Sequence, residues 1–413
     1  MKNFLIEAAL LLLFVSQVSA QRDSLDYDDY DGYCSHRSID LAIANTGFSF
    51  GNSKNFNGIR LNFRDCGIGQ INGINITLWD PAENPGSEIN GIAFGVAPMA
   101  DRLNGISAGI AVISNESMNG INIGGLALIS NGIGRWINFG GAAVVSNGDL
   151  EGFSFGGLAV VTNGSSTGIN IAGAATVGNG SLTGINFGGL ANVSQGGMTG
   201  INIGGLANVS QGNITGFNYG GFALVTQENL KWVNLSMLAC VAQGDISGFS
   251  FSGLALVAQG DMTGINISGL ANVSQGYMTG INFGGVALVA EDDMVGWNIA
   301  GAALVSKSDL TGVNLTIGQI YADGDVTGFN IAGYKTDALD FTGLNINAAW
   351  CDIENMTGVS IAGYNRIYGT QAGLTIGLFN FAEILDGIQI GLINIAKNNP
   401  PLFRILPLIN MNL

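Results

Sequence analysis

Between Gly200 and Thr215 the chain reads GINIGGLANVSQGNIT, and the runs that start at Gly184 and Gly264 nearly duplicate it. Self-similarity at a fixed period decides which positions are equivalent, so it is read before local propensity. With the glycine of the recurrent Thr-Gly pair as the first position, marks fall at Gly120, Trp136, Gly152, Gly168, Gly184, Gly200, Gly216, Trp232, Gly248, Gly264, Gly280, Gly296, Gly312 and Gly328, which is thirteen consecutive steps of sixteen residues. Looser marks precede these at Gly58, Gly73, Gly91 and Gly105 and follow at Gly343, Gly358, Gly373 and Gly387, giving about 22 units. Within a unit, apolar and polar residues alternate from Gly200 to Gly204, which predicts a short strand with Ile201 and Ile203 on one side and Asn202 on the other. Gly204-Gly205 then punctuates the unit, Leu206 to Ser210 predicts a second strand, and Gln211-Gly212-Asn213 predicts a turn. Glycine interrupts every stretch that could carry a 3.6-residue stripe, so helical repeats are not expected.

Two all-β architectures accommodate this period. In a β-solenoid each unit is one coil of about sixteen residues, stacked on the next at the spacing of neighbouring strands. In an outer-membrane β-barrel each unit is a long strand plus a tight turn in an antiparallel meander. Three features favour the solenoid. The spacing is unbroken, whereas a barrel tolerates long loops on one side. Asparagine recurs at the third position from Asn122 and Asn138 through Asn202 to Asn330, with Ser154 and Ser250 as substitutes, and stacked identical amides can form a ladder along an axis. Alanine recurs at the eighth position, as in Ala191, Ala207 and Ala223, where a narrow coil interior would need small side chains. The apolar isoleucine column is expected inside such a coil.

Charge narrows the functional classes. Only 11% of residues are charged, against 47% hydrophobic, and 65 of 413 are glycine. A net charge of −16 leaves no basic stripe for phosphates, so nucleic acid is not an expected partner. The four cysteines show no metal-ligand spacing and His36 is the only histidine. Cys34 and Cys66 are candidates for one disulfide after export, whereas Cys240 and Cys351 read as small buried side chains. No GxSxG elbow or phosphate-binding loop is present, and Glu291, Asp292 and Asp293 read as an isolated acidic corner rather than a carboxylate pair in a cleft. No residue set therefore reads as catalytic, cofactor-binding or metal-ligating, and the chain is not expected to be an enzyme. Trp136 and Trp232 replace the first-position glycine, each after a basic residue, and are expected to face outward. The threonines that recur at Thr199, Thr215 and Thr263 stand singly beside a turn, which argues against a flat ice- or polysaccharide-binding face.

The ends differ from the array. MKNFLIEAALLLLFVSQVSAQ has the layout of a secretory signal peptide, with cleavage expected after Ala20. The aspartates from Asp23 to Asp31 read as a solvated leader, because their spacing does not match a calcium loop. Pro81 and Pro85 mark a loop that leaves the array, and Pro400, Pro401 and Pro407 mark a cap over the last coil. The expected divisions are a signal peptide over 1–20, an acidic segment over 21–50, irregular repeats over 51–119, the regular array over 120–342, looser repeats over 343–398 and a cap over 399–413.

The segments FNGIRLNFRD from Phe56 to Asp65, GINITLWDP from Gly73 to Pro81, the central GGLANVSQG units, and DGIQIGLINIAKN from Asp386 to Asn398 followed by LPLIN resemble a family of bacterial surface-repeat proteins, the uncharacterised envelope proteins of spirochaetes and Bacteroidetes. The resemblance implies export and a cell-envelope place in a Gram-negative bacterium, at the surface, at the outer membrane or secreted, and it brings no activity or cofactor. The expectation is a non-enzymatic envelope or surface protein with a structural, adhesive or binding role toward a surface ligand or envelope component, the alternative being an outer-membrane barrel or channel.

Overall fold

A computed structural model describes residues 34–79 and 84–412. The expected leader, the aspartates from Asp23 to Asp31 and Pro81 lie outside the described residues. Every regular element among the described residues is a β-strand, and the chain divides into two compact units, Met1–Gly109 and Ile110–Leu413.

In the second unit a typical coil begins with a seven-residue strand, Met198–Gly204, turns at Gly205 and Leu206, continues in a four-residue strand, Ala207–Ser210, and turns again through Gln211, Gly212 and Asn213. The next coil repeats this, and the two pair in parallel with Met198 opposite Ile214, Asn202 opposite Asn218 and Gly204 opposite Gly220. The short strands stack likewise, Ala207 opposite Ala223 and Ser210 opposite Thr226. The same register runs from Leu150–Gly156 to Val326–Ala332. This is a β-solenoid with sixteen residues per coil. The barrel alternative fails, because an antiparallel meander cannot place every residue beside its own repeat equivalent in a parallel ladder. Beyond Ala332 the coil shortens, with Val326 opposite Phe341 and Phe341 opposite Met356.

Parallel stacking explains the glycine marks. At Gly200 the backbone has φ +111°, and a Cβ there would lie 2.2 Å from the carbonyl oxygen of Gly184 in the coil before. In the regular array only Trp136 and Trp232 occupy this position with a side chain, at φ 77° and 84°. Both face outward as expected, 70% and 69% exposed.

The inside and outside of the coil are the reverse of the sequence expectation. Asn202 is buried and Ile201 is exposed, with the same pattern in coil after coil. The interior holds the third, fifth, ninth, eleventh and fifteenth positions, here Asn202, Gly204, Asn208, Ser210 and Ile214. Its apolar content comes from the fifteenth position, Leu182, Met198, Ile214 and Leu230, and from ninth-position residues such as Leu224 and Leu256. The alanine column also lies outside, Ala207 and Ala223 being half-buried on the outer surface. Strand alternation was legible, but alternation alone does not say which side closes. The narrow interior decides: at Gly204 a Cβ would lie 2.2 Å from the Ala207 carbonyl oxygen, so neighbouring inward positions cannot all be large.

Buried asparagine is compatible with this core because, within each run, neighbouring amides satisfy one another, and the unpaired atoms fall at the ends of the runs. Asn170 Nδ2 donates to Asn186 Oδ1 at 2.9 Å, and the chain of donors continues through Asn202 and Asn218 to Asn234. Asn234 donates to Ser250 Oγ at 3.2 Å, and there the ladder breaks. It restarts at Asn266, whose Oδ1 has no partner, and runs through Asn282, Asn298 and Asn314 to Asn330.

The first unit opens with an antiparallel hairpin, Ser38–Ile43 against Thr46–Gly51, joined by Ala44 and Asn45, both at positive φ as two-residue hairpin turns require. Parallel coils of uneven length follow, with Gly47, Gly58, Gly73, Gly91 and Gly105 in register. Here Arg60 takes the asparagine's inward place, fully buried, and pairs with Asp65 while donating to Asn75 Oδ1 at 2.7 Å. Asp65 also accepts from Asn62, Asn75 and Thr77, so the buried charges are compensated. Cys34 and Cys66 form a disulfide, with Cα atoms 5.4 Å apart. At the far end of the second unit, Ile405–Asn412 pairs antiparallel with the segment from Gly387 to Ile395 and carries Pro407, which removes one donor from the exposed edge.

Two substitutions test the ladder. Ser250→Asn joins its two runs by supplying an acceptor to Asn234 and a donor to Asn266, and should raise stability by about 1 kcal/mol in chemical denaturation. Asn202→Ala strands the donor of Asn186 and the acceptor of Asn218, and should cost roughly 2–3 kcal/mol by the same measurement.

Candidate interaction faces

The distribution of charge around the coil defines the faces. Between Gly120 and Tyr334 every Asp, Glu, Lys and Arg falls within the twelfth to sixteenth positions, from Arg135 and Asp149 to Asp323 and Asp325. The other eleven positions hold none. On one side of that charged sector the outward second and fourth positions form two columns, which include Ile185 and Phe187, Ile201 and Ile203, and Phe249 and Phe251. In all eighteen coils from Gly120 to Gly387 these columns contain only Ile, Leu, Val, Phe, Tyr or Trp. The short strand presents a smoother surface of alanine and valine, as in Ala207 and Val209.

The charged sector is structural at its fourteenth position. Asp245 Oδ1 accepts from the backbone N–H of Asp261 at 2.9 Å, Asp261 serves Tyr277 likewise, and Asp293 and Asp309 serve Asp309 and Asp325. The acidic corner at Glu291, Asp292 and Asp293 is therefore not isolated, since it belongs to this column and Glu291 also accepts from Lys307 Nζ at 2.8 Å. Among the described residues no three His, Cys, Asp or Glu side chains are grouped so as to hold a metal ion. A depression of about 580 Å³ beside Phe403, Leu406 and Ile409 has no ionisable side chain in its lining.

One patch escaped sequence reasoning. Near the end of the array the alanine and valine columns give way to Lys335, Asp337, Trp350, Asp352, Tyr364 and Arg366, which stack in register. Arg366 grips Asp352 through Nε at 2.8 Å and Nη2 at 2.5 Å, and Lys335 Nζ reaches Asp337 at 2.6 Å and Asp352 at 3.1 Å. Burial opposes ionisation of Asp352, yet hydrogen bonds from Arg366 and Lys335 outweigh it and hold the carboxyl below its ordinary 3.8. Trp350, Tyr364 and Phe379 follow one another edge to face at 6.1 and 6.4 Å, and Arg366 lies 4.7 Å over the Tyr368 ring. The readable signal was the loss of small residues at the eighth and tenth positions. With its charges mutually paired, the patch offers aromatic surface rather than a reactive group.

The two free thiols are buried inside the second unit, as expected. Burial pushes Cys240 and Cys351 up to about 12, against weaker opposing hydrogen bonds from Ser236 to the first and from Ser360 and Asn345 to the second. Both stay protonated at neutral pH and are poor nucleophiles.

These features define the class of protein, a β-solenoid with long uncharged outer faces. Comparison with family models, with curated proteins and with solved structures finds no match to this chain. The resemblance to bacterial surface-repeat proteins thus rests on the sequence segments that carry it.

The thiols give a pH test. Unfolded cysteines ionise near 9 while the folded ones hold their protons to about 12, so their contribution is complete below pH 9 and is lost between pH 9 and 12. Neither thiol should be alkylated by iodoacetamide in the native protein at pH 8, and both should react after unfolding. The fall in denaturation midpoint above pH 9 should be shallower in Cys240→Ala.

Proposed function

We propose that this chain is a non-enzymatic structural or adhesive repeat protein, exported to the cell envelope or surface, that works by presenting extended faces to a binding partner. The carrying observation is the segregation of charge: an array that between Gly120 and Tyr334 confines every charged residue to five of sixteen positions offers long uncharged surfaces. Such surfaces are interaction sites when they exceed the few hundred Å² usual on monomers. The disulfide between Cys34 and Cys66 supports an oxidising destination, and the leader ending at Ala20 supports export. The acidic balance supports a partner other than nucleic acid.

Expression of the full chain with a C-terminal tag in a Gram-negative host tests this reading. The expected result is a mature N-terminus at Gln21, recovery in the envelope or medium, and an oxidised Cys34–Cys66 bond by mass spectrometry. Uncleaved protein in the cytosol with that pair reduced would contradict it.

A further inference from the structure

We propose that the face formed by the second and fourth positions of the second unit is covered by a second copy of this chain, so that the solenoid works as a face-to-face pair. This rests on the reading of the protein as one that acts through its faces, and it names the occupant.

Thirty-six outward residues in two adjacent columns are aliphatic or aromatic without exception. Ile185, Phe187, Ile201, Phe251, Ile281 and Trp297 are between 40% and 60% exposed. At the side-chain areas typical of such residues, the two columns offer on the order of 2,000 Å² of apolar surface. The largest patch on an ordinary monomer is about 300–600 Å². A stable complex needs about 800 Å² on each partner, which this face supplies even if only half of it is covered.

Three properties select a second copy over other occupants. The columns repeat at about 4.8 Å along the axis and about 7 Å along the strand, so an identical face matches them in period and can interdigitate as packed sheets do. Face-to-face contact leaves the charged twelfth to sixteenth positions outside the two columns, so the net charge of −16 need not be forced between the copies. A lipid surface fits less well, because interfacial attachment to anionic membranes draws on flanking lysine and arginine, and the charged sector is predominantly acidic.

Sedimentation equilibrium of the mature chain in detergent-free buffer, from 1 to 50 µM, tests the inference. A mass that doubles with concentration is expected. Ile185→Lys with Ile281→Lys should weaken the pair at least a hundredfold with circular dichroism unchanged, whereas Gln211→Lys with Gln259→Lys, in the polar sector, should leave it intact. Hydroxyl-radical footprinting of the unaltered protein at the two concentrations removes dependence on any variant: Phe251 and Trp297 should be protected at least threefold at 50 µM, with Tyr277 unchanged. A monomer throughout, an undiminished dimer in the Ile185/Ile281 variant, or unchanged Phe251 and Trp297 would overturn it. So would a monomer that floats with phosphatidylcholine vesicles, which assigns the face to lipid. A soluble monomer that still reaches the envelope would leave the proposed function standing, while a dimer retained in the cytosol would remove only that reading.

Discussion

Every coil of the regular array hydrogen-bonds in parallel to the next, so whatever a position carries lies directly against the same position sixteen residues on. That constraint governs the rest. It requires glycine where one coil's backbone would meet a Cβ of the next, as at Gly200 over Gly184. It also turns each residue choice into a column, so the merit of a side chain is the merit of stacking it on itself. Asparagine is well suited, since its amide donates on one side and accepts on the other. Aspartate recurs at the fourteenth position, where its oxygen is taken up by the backbone N–H of the following coil. A buried carboxylate stack would repel itself, and within the regular array no Asp or Glu occupies an inward position.

The same constraint divides the energetics between two kinds of column. The apolar fifteenth-position residues and the asparagine ladder seal the interior together, one by burial and the other by hydrogen bonds that leave few polar atoms orphaned. The outward apolar columns contribute little to this closure. Their surface is what the fold leaves exposed, and the charge restricted to the twelfth to sixteenth positions keeps it uniform over many coils. Trp136 and Trp232 stand at the border of that face in a backbone conformation unfavourable to bulky residues, a cost of roughly 1–3 kcal/mol each. Nothing in the packing of these two coils explains why the glycine was given up.

Much of the architecture could be read directly from residues. The period followed from the glycine marks, the corners from Gly204-Gly205 and Gln211-Gly212-Asn213, and the outward tryptophans from replacement of a crowded glycine. What misled was the assumption that the more apolar side of a strand closes inward. Ile201 and Ile203 alternate with Asn202 in either case, and alternation is silent on which side is shared between sheets. The side that closes is the one whose polar atoms can be satisfied without water, and Leu182, Met198 and Ile214 at the fifteenth position already supply its apolar core. The alanine column was likewise assigned inside for its size, although its place next to the inward ninth position of an alternating strand puts it outside. The ion-paired aromatic patch around Asp352 depends on coils that shorten after Ala332, where the fixed period no longer says which residues meet.

The most direct test of like-on-like stacking is a distance series along one column. Nitroxides placed in pairs at Gln195 and Gln259, and at Gln195 and Gln275, are separated by four and five coils on an outward column, while the buried Cys240 and Cys351 remain unlabelled. Pulsed dipolar spectroscopy should give separations of about 19 and 24 Å, a rise of about 4.8 Å per sixteen residues. Separations that do not grow in equal steps, with the five-unit pair further displaced by the length of a strand as in an antiparallel meander, would contradict the parallel solenoid and everything built on it.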